Sequence, residues 1–253
     1  MEVDSYEPGV PSWVDLGTAD TAKAAEFYSA LFGWTVQGGP PEAGGYAIAE
    51  LRGRPVAGLG PQQNPGPPVW ATYVNVDDAD KAAAKVAAAG GITFVEPSDV
   101  LDVGRMAVFA DPLGAVISVW QAKLHHGAGI VNEPGTLTWN ELVTTDTDAA
   151  AAFYADVFGW GAVTHGEGVG AYTEFQLADR SIAGMMLKPA EMPAEVPPYW
   201  GVYFAVADTD ATAARVTELG GTIMMPPRDM EAGRFAIAVD PTGAMFSVIK
   251  SRE

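Results

Sequence analysis

The sequence predicts an α+β protein of four βαβββ modules, arranged as two tandem halves with pseudo-twofold symmetry. Three observations predict it: an internal repeat that spans the chain, a strand–helix–three-strand order that recurs twice in each half, and an ordinary globular composition. A chain of 253 residues suits one large or two ordinary domains. With 48% hydrophobic and 18% charged residues, it has the balance of a folded protein.

The repeat is read first, because missing it would misassign the whole fold. Placing Pro11–Trp34 over Leu137–Trp160, an offset of 126, matches 12 of 24 positions. The identities include Trp13/Trp139, Asp20/Asp146, Phe27/Phe153, Tyr28/Tyr154, Phe32/Phe158, Gly33/Gly159 and Trp34/Trp160. Tyr46/Tyr172 keep that offset, which drifts to 130 at Tyr73/Tyr203. It is 129 at Asp111-Pro112-Leu113-Gly114 against Asp240-Pro241-Thr242-Gly243. Six of the seven tryptophans fall into pairs, the third being Trp70/Trp200. The halves are read as 1–124 and 136–253, joined by a linker at 125–135 rich in small and turn-forming residues. Two proline-rich crossovers, Pro61–Pro68 and Pro189–Pro198, read as stiff extended connections.

Within the first half, Trp13–Thr18 alternates as a strand. Asp20 caps a helix whose apolar positions Ala24, Phe27, Tyr28 and Leu31 recur every three or four residues, and Gly33 ends it. Short strands are expected near Trp34–Gln37, Tyr46–Leu51 and Pro55–Gly60. The order then recurs: a strand at Ala71–Val76, a helix from Asp78 to Ala89 ended by Gly90-Gly91, and strands near Ile92–Val95, Arg105–Ala110 and Ala115–Gln121. Asp111-Pro112-Leu113-Gly114 has the residues of a type I turn, so the last two strands form a hairpin.

The formal charge of −18 argues against nucleic acid and anionic membranes as partners, since both are held by clustered Lys and Arg. The same field favours cationic or amine-bearing ligands, although acidity also serves solubility alone. Without cysteine, disulfides, thiolate metal sites and a thiol nucleophile are excluded. No apolar run of 18 residues is present, and Met1-Glu2-Val3-Asp4 lacks the basic start of a signal peptide. A cytoplasmic protein is the simplest expectation.

The opening strand followed by a helix carrying Phe-Tyr and ending in Phe-Gly-Trp resembles the vicinal oxygen chelate superfamily, which includes glyoxalase, bleomycin resistance protein and extradiol dioxygenase. The carriers are Phe27-Tyr28-Ser29-Ala30-Leu31-Phe32-Gly33-Trp34 and Phe153-Tyr154-Ala155-Asp156-Val157-Phe158-Gly159-Trp160, together with both Asp-Pro-x-Gly hairpins. The resemblance implies two glyoxalase/bleomycin-resistance-like domains whose curved sheets form clefts; fold alone does not choose the function. In the family's metalloenzymes, His or Glu side chains from four strands hold a cation. Carried over by position, those places hold Trp13, Gly58, Ala71 and Ser118 in one half, and Trp139, Gly184, Gly201 and Ser247 in the other. Indole, glycine and alanine cannot coordinate, and serine is a poor ligand. No metal and no cofactor are therefore expected. His125 and His126 read as solvated linker residues, and His165 as part of a glycine-rich loop over Gly161–Gly170.

Strand alternation lists the cleft face as Trp13, Asp15, Tyr73, Asn75, Ser118 and Trp120 in the first half. The second half offers Trp139, Glu141, Tyr203 and Ser247, with Ile249 in place of Trp120. An indole beside a carboxylate suits a flat aromatic ligand with a basic group. Two roles stay open to Trp13 and Trp139: contact with such a ligand, or packing that fills a lost metal site. Asp15 and Glu141 are the candidate catalytic groups. As costly charges to desolvate, they call for a role or for a partner such as Arg105 or Arg234, which could alternatively contact a ligand at the rim.

Three functions follow. The first is metal-independent binding of an aromatic, natural-product-like metabolite. The second is a glyoxalase-like lyase or isomerase, possible in aldehyde (methylglyoxal) detoxification, using Asp15 or Glu141 as acid or base. The third is an interaction protein with both clefts filled. Fusion of the halves predicts a pseudo-dimer within one chain. If only one cleft binds, the one containing Trp120 is expected to.

Overall fold

The computed structural model describes residues 1–63 and 65–252, without the side chain of Val169. Asn64, inside the Pro61–Pro68 crossover, and Glu253 lie outside the described residues. Each half is one eight-stranded sheet with two helices. In chain order the first comprises β1 (Pro11–Thr18), α1 (Thr21–Phe32), β2 (Thr35–Gly38), β3 (Ala47–Leu51), β4 (Arg54–Pro61), β5 (Val69–Asn75), α2 (Ala79–Ala88), β6 (Ile92–Val100), β7 (Gly104–Ala110) and β8 (Val116–Ala122). The second repeats it with β9 (Leu137–Thr144), α3 (Thr147–Phe158), β10 (Gly161–His165), β11 (Tyr172–Leu177), β12 (Arg180–Leu187), β13 (Tyr199–Ala205), α4 (Thr209–Glu218), β14 (Thr222–Met230), β15 (Gly233–Val239) and β16 (Met245–Ser251).

The sheet orders are β2-β3-β4-β1-β5-β8-β7-β6 and β10-β11-β12-β9-β13-β16-β15-β14. Two βαβββ modules thus meet at an antiparallel pair, β1 with β5 and β9 with β13, while β1 runs parallel to β4 and β5 to β8. No described helix is long and apolar enough to cross a membrane.

Local chemistry sets the elements. The side chain of Asp20 accepts the Lys23 amide at 2.9 Å to start α1, and Gly33, at φ 74°, ends it in the left-handed conformation that glycine adopts freely. Asp78, Asp146 and Asp208 cap the other three helices in the same way. Asp111 Oδ1 accepts the amides of Leu113 and Ala115, each at 2.9 Å, closing the hairpin between β7 and β8.

Two elements depart from the sequence expectation. β6 runs on to Val100 instead of stopping at Val95, with pairing irregular between Val95 and Ser98. As an edge strand it tolerates Pro97, whose missing N–H a central strand could not spare. Residues 161–165 form β10, paired with β11, so His165 ends a strand instead of lying in a loop. That edge strand is exposed along its length and carries no buried alternation to betray it.

The helix-side faces of the two sheets do not make one core per half. Val14, Leu16, Phe27, Tyr28 and Phe32 pack with Phe204, Phe246 and Val248 in one cluster. Phe109, Ile117 and Val119 pack with Tyr154, Trp160 and Phe175 in another. The first module therefore shares its core with the fourth, and the second with the third.

Candidate functional site

Alternation sends Val14 and Leu16 of β1 toward the helices and Trp13 toward the opposite, cleft-side face, where it clusters with Tyr73, Trp120 and Ala128. Two residues on from Trp13, Asp15 Oδ2 accepts the hydroxyls of Tyr46 at 3.1 Å and Tyr73 at 3.0 Å. Trp13 Nε1 donates to the Tyr46 hydroxyl at 3.0 Å. The second half repeats the arrangement. Glu141 accepts Tyr172 at 2.9 Å and Tyr203 at 2.8 Å, and Trp139 Nε1 donates to the Tyr172 hydroxyl at 2.9 Å. Ser118 and Ser247 stand in register with the inner tyrosines, Tyr73 and Tyr203, on the adjoining strands.

Tyr46 and Tyr172 were not among the residues expected to line the clefts. Their signal was their place as a repeated pair at the original offset of 126. Space for them comes from glycine: a Cβ on Gly58 would fall 1.8 Å from the Tyr46 hydroxyl, and one on Gly184 1.8 Å from that of Tyr172.

Burial pushes the Asp15 carboxyl up to about 6, with the hydroxyls of Tyr73 and Tyr46 acting against that rise. Burial also raises Glu141, against the hydroxyls of Tyr203 and Tyr172. Tyr73 and Tyr203 are driven above their ordinary range by burial and by the neighbouring carboxylates, so both stay neutral donors.

A divalent cation does not fit these residues. Each cleft offers one carboxylate, already engaged by two phenols, and the tyrosine occupies the space that a donor side chain at Gly58 or Gly184 would need. Among the described residues no group of three His, Asp or Glu side chains is placed to hold a metal.

The remaining expected residues separate. Asn75 is buried, and its Nδ2 donates to the Tyr6 carbonyl at 2.7 Å, which ties down the N-terminal segment. Arg105 and Arg234 do not pair with Asp15 or Glu141. Arg105 forms a fork with Asp80, both contacts 2.9 Å, and reaches Asp99; Arg234 does the same with Asp210 and Asp229. Each lies near the outer edge of its sheet, within reach of the helix that follows β5 or β13.

His125 is not a solvated linker residue. Its ring stands edge-on to Trp13, centroids 4.4 Å apart, and beside Trp120 at 5.8 Å. Trp120 Nε1 donates to the His125 carbonyl at 2.8 Å, and the indole lies so close to β7 that a Cβ on Gly104 would meet it at 2.1 Å. The first cleft is thus filled by its own linker, and Trp13 is 3% exposed. Trp139 is half-buried instead, and no ring among the described residues pairs with it as His125 pairs with Trp13. It borders a groove of about 950 Å³ that Ile249, Arg180, Lys250 and the N-terminal segment also line. Asp15 and Glu141 do not line that groove.

Comparison with known proteins agrees with this architecture. The family model described as the Glyoxalase/Bleomycin resistance protein/Dioxygenase superfamily matches residues 11–119 and 134–248. A protein of Mycobacterium tuberculosis (strain CDC 1551 / Oshkosh), named "Putative glyoxylase CFP32", is 44% identical over 257 residues, covering 97% of this chain and 96% of its own. The "Anthracycline biosynthesis protein DnrV" of Streptomyces peucetius is 39% identical over 264 residues, covering 98% and 95%. Among solved structures, the Mn(II)-bound glyoxalase from Novosphingobium aromaticivorans superposes with a TM-score of 0.67 at 19% identity, covering 97% of this chain and 83% of that one. The 2,3-dioxygenase LapB from Pseudomonas sp. KL28 gives 0.67 at 14%, covering 98% and 94%.

Proposed function

The chain belongs to the glyoxalase/bleomycin resistance protein/dioxygenase superfamily, and from that premise we propose that it binds a small aromatic metabolite, without a metal ion, in the cleft of its second half. One observation carries this reading: of two clefts built alike, the first is closed over Trp13 by His125, whereas Trp139 stays half-buried at the edge of a groove. An indole flanked by Ile249, Tyr203 and Phe235 offers dispersion and edge contacts to a flat ring. Both carboxylates already accept phenolic hydrogen bonds, so they set the positions of the tyrosines and, through them, of the indoles. Kinship with an anthracycline biosynthesis protein supports a polyketide-like aromatic as the ligand. The preference for the second cleft reverses the expectation that favoured Trp120, because that side chain and His125 together fill the first.

Titration with a hydroxyanthraquinone, followed by tryptophan fluorescence, tests the reading. Saturable quenching at one equivalent is expected, weakened at least tenfold by Trp139→Leu and unchanged by a metal chelator. Quenching that survives Trp139→Leu would place the ligand elsewhere.

A second reading, a metal-independent lyase or isomerase of glyoxalase type, has one candidate acid or base in each cleft, Asp15 or Glu141. The glyoxylase-named relative supports it as well. Turnover of a methylglyoxal–thiol adduct that is lost in Asp15→Asn or Glu141→Gln, with and without added Ni²⁺ or Zn²⁺, would establish it. No turnover in the unaltered protein would dismiss it.

A further inference from the structure

The two clefts share one floor. In each, an indole N–H donates to a tyrosine hydroxyl, which donates to a carboxylate, which also accepts a second tyrosine from the neighbouring strand. They differ in what stands on that floor. Over Trp13 stands the imidazole of His125, nearly perpendicular to the indole at 81°. Its placement is enforced from both sides. The His125 amide donates to Val103 at 3.0 Å, and the Ala128 amide to Ser12 at 2.8 Å. Tyr6 clasps the Ala128 carbonyl at 2.7 Å. Between them Gly127, at φ 107°, comes so near the Ser12 carbonyl that a Cβ would sit 2.5 Å from it.

The ring itself is held by shape. His125 Nε2 is buried and finds no hydrogen-bond partner among the described residues, and burial holds the imidazole neutral, its conjugate acid pushed down to about 4. A linker serving only as a connection would gain nothing by burying an unpartnered nitrogen, which costs free energy wherever it is made. Edge-to-face contact with indole is the compensation available here.

We propose that His125 is an internal ligand of the first cleft, and that the second cleft takes the same chemical class: a neutral, planar aromatic ring standing edge-on to Trp139. This deepens the proposed function and rests on it for the second cleft. The rest of a larger metabolite would lie in the groove beyond Ile249, with one aromatic ring as its inserted end. The exchange of Trp120 for Ile249 removes one wall against which His125 leans, and Phe235 stands on the neighbouring strand in the place of Met106.

The test uses 4-methylimidazole, the side chain of histidine as a free molecule, at pH 8, with cyclopentanol as a non-aromatic control of similar size. In His125→Ala, the heteroaromatic is expected to raise the melting temperature saturably, by about 3–6 °C at ten times its dissociation constant. Adding Trp13→Leu should bring that rise back to the one seen in unaltered protein, which takes the probe in its second cleft alone. In unaltered protein, whose folding is not in question, the same probe should quench tryptophan fluorescence saturably, an effect lost in Trp139→Leu and absent with cyclopentanol. A rise in folded His125→Ala no larger than that in unaltered protein, or equal effects of the alcohol and the azole, overturns the assignment of His125 as a ligand. Rescue of His125→Ala together with no binding to unaltered protein overturns the second cleft as a site while leaving the first as drawn, so the two failures are told apart.

Discussion

At the scale of single residues, the two cleft carboxylates carry most of the physical tension. Asp15 titrates near 6 in the fold against about 3.9 in an unfolded chain. Between those values the folded protein holds a proton that the unfolded chain has released. The stability from this site is therefore complete below about pH 4 and is lost as pH rises through 6. Asp15→Asn keeps an oxygen that can accept from Tyr46 and Tyr73 but removes the charge. Its melting temperature should exceed that of the unaltered protein by clearly more near pH 7.5 than near pH 4.5. A difference that does not change between those pH values would mean that the carboxylate is not desolvated. The sequence made Asp15 and Glu141 visible as acids on a cleft-facing strand, and the two indoles beside them. It offered Arg105 and Arg234 as partners because a buried carboxylate suggests a counter-ion. The partners are phenols, and Tyr46 sits just outside the strand where alternation could have placed it. His125 escaped for a different reason: nothing in a short Gly- and His-containing linker says that the chain turns back across a sheet.

At the scale of elements, the repeat and the period-two and period-3.6 patterns made the strand and helix order legible, since each buries one face. Caps were legible too, because Asp at a helix start and Gly at its end satisfy backbone groups locally. The edges were not. β10 is exposed along its length, β6 for most of it, and as edge strands both pair on one side only, so neither composition nor period marks their extent. Glycines within central strands carried a message that the pattern alone could not decode. Gly58 and Gly184 lie on strands parallel to β1 and β9, in register with Asp15 and Glu141, and a methyl at either would strike a tyrosine hydroxyl. Gly58→Ala should expel Tyr46 from the cleft, at a cost of about 1–3 kcal/mol. Gly38, with nothing within 4 Å of an added Cβ, should accept alanine with little change. Chemical denaturation of both variants, with near-ultraviolet circular dichroism reporting Trp13, checks this. Equal stabilities would mean that the tyrosine is free to move aside.

At the scale of the whole molecule, the halves that are plain in the sequence are not the units that the cores define. Tyr28 of the first half donates to Asp240 of the second at 3.0 Å while accepting Trp70 Nε1 at 2.9 Å. Tyr154 reciprocates with Asp111 at 3.1 Å and Trp200 at 2.9 Å. Trp160 donates across the same divide to Gly9, and Trp34 to Gly135 at the end of the linker, each at 2.7 Å. The Phe-Tyr pair of each helix and the Asp-Pro-x-Gly turn of the opposite half are thus two sides of one buried latch. That explains why both motifs recur together at the repeat's offsets. A domain is expected to contain its own core, and on the helix side of its sheet neither half does. Residues 1–124 alone would expose Phe27, Tyr28 and Phe32 on one helix and leave Phe109 and Ile117 without Tyr154 and Phe175. That fragment should therefore lack the dispersed amide spectrum of a folded protein in NMR. Mixing it with residues 136–253 should restore the spectrum through the two shared cores and the paired latches. A well-dispersed spectrum from either fragment alone would show that a single sheet with its two helices suffices, and that the shared cores add stability without being required for folding.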